Sequence, residues 1–114
     1  MKLSTLKALW KELNDKWFGG LLKEIPIRLT RAKRYYGDFV YIVGSGKETL
    51  RISSPMNRDP AVLLDTMLHE MCHQFLYEQT GDADSEHGER FQTVAQIVGI
   101  SWPSSTCSQV LPLD

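Results

Sequence analysis

The chain has 114 residues, 42% of them hydrophobic and 24% charged, near the averages of soluble globular proteins and enough for one domain with an ordinary core. A formal net charge of −1 and a pI near 6.3 exclude a protein that coats nucleic acid by bulk electrostatics. No apolar run is long enough to span a bilayer, and the lysines of Met1-Lys2-Leu3-Ser4-Thr5-Leu6-Lys7 deny the N-terminus a signal-peptide core. The expectation is a cytoplasmic protein with no membrane partner, a monomer by default.

Leu3, Leu6, Trp10, Leu13 and Trp17 step by three and four residues, which predicts an amphipathic helix ended by Gly19-Gly20. After Pro26 the period changes to two. Ile27 and Leu29 alternate with Arg28 and Thr30, the pattern of a half-buried strand. Residues 39–43 and 49–53 are rich in strand-favouring types and flank Gly44-Ser45-Gly46, which suits a tight hairpin. Three short strands with brief connections predict a three-stranded antiparallel meander.

Asp59-Pro60 opens the next helix, since aspartate caps well and proline is tolerated at the first helical position. Leu64, Leu68, Met71 and Phe75 predict a core-facing side, opposite a side that offers His69 and His73 to a cleft. Gly81 ends this helix, and the polar stretch 81–86 lets the chain reverse. Phe91, Val94, Ala95 and Val98 predict a last helix over about 88–98, with His87 at its entrance. The fold class is α+β: residues 1–100 form one domain, residues 101–114 an extended tail, and there is no internal repeat.

The chemistry concentrates in His69-Glu70-Met71-Cys72-His73, the pattern H-E-x-x-H, with His87 fourteen positions later; these are all three histidines of the chain. A four-residue step is nearly one helical turn, so His69 and His73 project from one stripe and can reach one zinc ion at about 2.0–2.1 Å. Glu70, about 100° around the helix, is off that stripe as a ligand but placed to take a proton from water at the metal. Three histidine ligands leave one coordination position open, as catalytic zinc requires, whereas structural zinc normally closes with four protein ligands. The set predicts one zinc per chain and metal-assisted hydrolysis; structural zinc, or two histidines exposed beside an acid without metal, are the plainer readings of the same residues.

Cys72 and Cys107 do not form a C-x-x-C pair, and reduced thiols fit a cytosolic protein. Cys72 is read as a small buried hydrophobe rather than a fourth ligand. Asp65, one turn before His69, and the acids Asp82, Asp84, Glu86 and Glu89 around His87 are candidates to orient the ligand rings, or simply solvated groups. Arg28, Arg31, Lys33 and Arg34 form a basic cluster, either a solvated face or a nucleic-acid contact.

The string Leu68-His69-Glu70-Met71-Cys72-His73, followed by His87-Gly88-Glu89-Arg90-Phe91, resembles the SprT-like (Spartan-type) family of zinc metalloproteases. Leu13-Asn14-Asp15-Lys16-Trp17-Phe18-Gly19-Gly20-Leu21 resembles the end of that family's first helix, and Ile52-Ser53-Ser54-Pro55 the strand end before its metal helix. The likeness runs from about Leu6 to Ile100; Glu89 stands where the family often has proline. It implies a minimal zincin fold, His69, His73 and His87 as zinc ligands, Glu70 as catalytic acid/base, and a protein or peptide substrate. It also implies DNA as a partner, with proteins bound or crosslinked to DNA as the substrate class. Bacterial members often carry a zinc ribbon after the catalytic domain, and animal members long C-terminal regions. Neither stands before Asp114 in this sequence, so the likeness implies proteolysis more directly than a DNA-directed role.

In the reaction so implied, an oxyanion forms and needs a donor besides the metal; Tyr35, Tyr36, Tyr41 and Tyr77 are the candidates. Substrate backbone would lie along an exposed strand edge. Two further readings stay open: a general peptidase with no nucleic-acid link, and a zinc-stabilised module that binds DNA or protein without cutting it.

Overall fold

In a computed structural model that describes residues 1–99, the longest element is the helix that begins at Asp59-Pro60. The Asp59 carboxylate accepts from the Ala61 N–H at 2.8 Å, and the chain leaves the helix through Gly81 at φ 80°. In chain order the elements are helix α1 (Leu3–Trp17), strands β1 (Ile27–Thr30), β2 (Gly37–Ile42) and β3 (Lys47–Ser53), a 3-10 turn (Pro55–Asn57), and helices α2 (Pro60–Thr80) and α3 (Glu89–Ile97). The helices fall where apolar spacing and capping residues put them. No helix among the described residues is long and apolar enough to cross a membrane. The stretch read as a tail, residues 101–114 with Cys107, lies outside the described residues.

The α+β class holds, but the sheet is not an antiparallel meander. Its order is β1-β3-β2: β2 and β3 form the expected antiparallel hairpin, while β1 runs parallel to β3. The central strand aligns Ile27 with Leu50 on one side and Phe39 on the other. Leu50 and Ile52 are fully buried there. A parallel pair needs a crossover, and here the crossover is the 31–36 connection together with β2. That connection passes over the end of β3 and is pinned from below. Ser53 Oγ donates to the Ala32 carbonyl at 2.6 Å, and Asn57 Nδ2 donates to the carbonyls of Tyr36 (2.9 Å) and Ser53 (2.6 Å). Polar side chains at the end of β3 and in the turn after it thus hold the crossover in place, and local alternation near β1 could not reveal it.

Leu6, Trp10 and Leu13 of α1, Phe39, Leu50 and Ile52 of the sheet, Met67, Leu68, Met71, Cys72 and Leu76 of α2, Phe91 and Ala95 of α3, and Val98 just after it belong to one buried cluster. Two contacts fix α1 to the rest. Trp10 Nε1 donates to Gln74 Oε1 at 3.1 Å, tying α1 to α2. The Asn14 side chain pairs with both the N–H and the C=O of Leu22, closing the turn after α1.

Helix α2 is not two-sided as its spacing suggested. Nine consecutive residues, Thr66 to Gln74, are buried, whereas Leu64 is 41% exposed and Phe75 half-buried. The histidine side is covered by the chain that follows: the 82–88 loop and α3 fold back over it. Cys72 takes the place of a small hydrophobe, fully buried in the core cluster.

Candidate metal centre

His69 and His73 lie one turn apart on α2, with ring centroids 5.0 Å apart. The 82–88 loop returns His87 to them with its ring turned inward. His87 Nε2 lies 3.1 Å from Nε2 of His69 and 3.1 Å from Nε2 of His73. One ligand atom from each of the three residues lies within 4.8 Å of the others. Tetrahedral zinc with bonds of about 2.0–2.1 Å separates its nitrogen ligands by about 3.3 Å, so the donor set fits such an ion.

The backbone fixes one tautomer. His73 Nδ1 lies 2.6 Å from the Ala83 carbonyl, which can only accept, so that ring carries its proton on Nδ1 and turns the Nε2 lone pair inward. His69 and His73 are each 1% exposed. Beneath the three rings lies Phe91, fully buried, with centroids 4.8, 4.5 and 4.8 Å from His69, His73 and His87. Its ring packs flat on His73 and edge-on to His87. Glu70 is fully buried beside them, its Oε2 4.0 Å from His69 Nε2.

The loop that delivers His87 uses backbone conformations disfavoured for residues with a Cβ. Asp84 (φ 54°) and His87 (φ 57°) are both left-handed, at about 1–2 kcal/mol each for an ordinary residue and less for Asp. Side chain and backbone hold the loop: the Asp84 carbonyl accepts from the His87 N–H at 2.9 Å. Its carboxylate accepts from the Gly88 N–H and the Phe91 N–H, both at 3.0 Å.

The chain matches the SprT-like family over residues 6–109. It belongs to the SprT-like family. Among its relatives, proteins named DNA-dependent metalloprotease SPRTN from Rattus norvegicus, Mus musculus and Homo sapiens are each 33% identical over 90 residues. The match covers 75% of this SprT-like chain and 18% of each relative, so the chain spans under a fifth of their length.

The remaining residues singled out from sequence fall in different places. Of the four acids near His87, Asp84 holds the loop and Asp82 supports it, its Oδ1 accepting from the Asp84 N–H at 2.9 Å; Glu86 and Glu89 are exposed. Asp65 is half-buried one turn before His69. Tyr41 and Tyr77 pack on each other at 4.3 Å and against Phe39, while Tyr35 and Tyr36 are half-buried at the end of the β1–β2 connection. Arg28, Arg31, Lys33 and Arg34 are all exposed, the first on β1 and the others on that connection. Sequence reasoning missed the Ala83 carbonyl, since any residue has one, and the seating of Phe91 against the imidazoles, since its spacing marked only a core position.

β2 runs beside α2. At one end, a Cβ on Gly37 would meet Thr66 Cγ2 at 3.2 Å and the Arg51 carbonyl at 2.7 Å; further along, Tyr41 packs at a tilt against Tyr77. Glu70 falls between Thr66 and Tyr77 on the same helical stripe. The other side of β2 is a sheet edge, since β2 pairs with β3 alone among the described strands.

Proposed function

We propose that this chain is a zinc-dependent metalloendopeptidase in which His69, His73 and His87 hold one zinc ion and Glu70 is the general acid/base. The observation that carries the reading is the convergence of three imidazoles, with Nε2 of His87 3.1 Å from Nε2 of both His69 and His73, beside a buried glutamate. A structural site has no use for that acid. Membership of the SprT-like family and likeness to relatives named as metalloproteases support it. When bound, zinc supplies Lewis acidity, polarising a peptide carbonyl and lowering the pKa of water.

The rest falls to the chain itself. His73, its tautomer set by Ala83, and His87, set by its loop, keep their Nε2 atoms on a common point. Glu70 accepts the proton of the attacking water at its carboxylate and returns it to the departing amine. Substrate main chain lies along the free edge of β2, the strand nearest Glu70 by its contacts with Thr66 and Tyr77. Hydrogen bonds along an edge ignore side-chain identity, so selectivity among sequences is low.

DNA is the partner we assign to Arg28, Arg31, Lys33 and Arg34, four cations exposed at one end of the sheet, with DNA-bound or DNA-crosslinked proteins as substrates. That part rests on the name of the relatives and on this charge cluster.

The test is cleavage of a casein-like substrate by wild type and Glu70→Gln, with and without single-stranded DNA, alongside metal content by mass spectrometry. Expected are one zinc per chain in both proteins and turnover lowered at least ~10²–10⁴-fold in the variant, the usual worth of general acid–base catalysis. Unchanged turnover in the variant removes the mechanism. Cleavage indifferent to DNA removes the DNA assignment and leaves a general peptidase; zinc without cleavage in wild type leaves a binding module.

A further inference from the structure

We infer that Asp84 is the positioning residue that sets the third metal ligand: its carboxylate holds the loop in the one conformation that turns His87 onto His69 and His73. The inference rests on the metal-centre reading above. Each group of this residue has a task. The main-chain carbonyl accepts from the His87 N–H (2.9 Å), closing a tight turn. One carboxylate oxygen accepts from the Gly88 N–H and the other from the Phe91 N–H, both at 3.0 Å. The main-chain N–H is itself held by Asp82 Oδ1 at 2.9 Å.

Both carboxylate oxygens therefore bear on the centre from opposite ends. Gly88 follows His87 directly, so its N–H fixes the peptide on which the third imidazole turns. Phe91 is the ring on which all three imidazoles rest. Ala83, the residue before Asp84, gives its carbonyl to His73. Two adjacent residues thus govern the second and third ligands, and a shift of Asp84 reaches both.

Gly88 shows how closely the carboxylate is seated. A Cβ at residue 88 would lie 3.1 Å from Asp84 Oδ1 and 3.2 Å from Oδ2, tighter than ordinary contact. The glycine after His87 leaves room for the acid that positions it. That gives the His-Gly step of this chain a physical reason without any direct contact between glycine and metal. Amide donors face both oxygens, so asparagine would satisfy one of them and set its own NH₂ against the other.

The experiment measures zinc affinity of the full chain by chelator competition, and the visible absorption of the cobalt(II)-loaded protein, for wild type, Asp84→Asn, Gly88→Ala, Glu86→Gln and His87→Ala. Asp84→Asn is expected to weaken zinc binding about 10–100-fold, the usual loss when an outer support of a metal ligand is removed. The cobalt spectrum should lose intensity as His87 drops away. Gly88→Ala, which keeps the charge and only displaces the carboxylate, should change both readouts in the same direction by less. Glu86→Gln, in the same acidic stretch, should match wild type. A merely structural role would lower the melting temperature of the metal-free protein and leave affinity and cobalt spectrum of the folded fraction unchanged; that result overturns the inference. So does wild-type affinity in both Asp84→Asn and Gly88→Ala while His87→Ala binds weakly, and in that case the metal centre itself stands. If His87→Ala binds zinc as wild type does, the metal-centre reading fails first.

Discussion

Two charged connections in this molecule, one acidic and one basic, differ in what they do with their charges. The 82–88 loop between α2 and α3 uses two of its acids to hold its own backbone, while Glu86 stays exposed: Asp82 holds Asp84, and Asp84 holds Gly88 and Phe91. The 31–36 connection between β1 and β2 turns its cations outward. Ser53 and Asn57 hold its backbone from below, while Arg31, Lys33 and Arg34 stay in solvent. The first connection builds a site out of its own side chains; the second is built by other elements and displays its side chains. Charge in a loop therefore says little until the hydrogen bonds of its backbone are accounted for.

The sharpest way to break this contrast is at its inward end. His87→Ala should reduce zinc affinity by more than ~10²-fold, beyond the ~10–100-fold typical of an outer-support residue, and cleavage with it; isothermal titration with zinc checks this. Retained binding would mean that the loop delivers nothing to the centre. Next in size is Gly37→Ala, at the strand that carries the outward connection onto β3. Its Cβ would lie 2.7 Å from the Arg51 carbonyl, a backbone atom that cannot swing away. A loss of about 1–3 kcal/mol in urea unfolding is expected.

Asn57→Ala removes two bonds that hold the connection down, to Tyr36 and Ser53. It should cost about 1–3 kcal/mol, because the Ser53 carbonyl loses the Asn57 donor and the Tyr36 carbonyl keeps only the Ser53 N–H, and should speed amide exchange at the 31–36 connection while the 82–88 loop stays protected. Equal loosening of both would show that the two connections are not independent. The smallest effect on folding is expected from reversing Arg28, Arg31, Lys33 and Arg34 to glutamate, within about 0.5 kcal/mol for each exposed position. Binding of single-stranded DNA should then weaken, and its dependence on salt should flatten by about 0.7 in log–log slope for each phosphate that is no longer neutralised.

How much of this was legible beforehand follows the same division between local and non-local causes. Asp59, Pro60 and Gly81 bound α2 by interactions within a few residues, so its extent could be read directly. The H-E-x-x-H spacing likewise makes His69 and His73 neighbours through helix geometry alone, and the His-Gly step pointed to the third ring. The pairing of β1 with β3 was not legible, since the crossover that allows it is held by Ser53 and Asn57 reaching back some twenty residues. Neither was the burial of α2 on every side, because its coverage comes from the 82–88 loop and α3 rather than from its own apolar stripe. Asp84 could not be told from three neighbouring acids by type; only the direction of its carboxylate distinguishes it.

The bond from Trp10 to Gln74 has a practical corollary. Gln74 is the immediate neighbour of His73, so the indole of α1 is wired to the helix that bears two of the three imidazoles. Indole emission responds to whether its N–H is bonded, which makes Trp10 a native optical gauge of how firmly that helix is seated. With Trp17 and Trp102 replaced by phenylalanine, the proposed cation uptake at the centre can be sought as a change in Trp10 emission, without any attached dye.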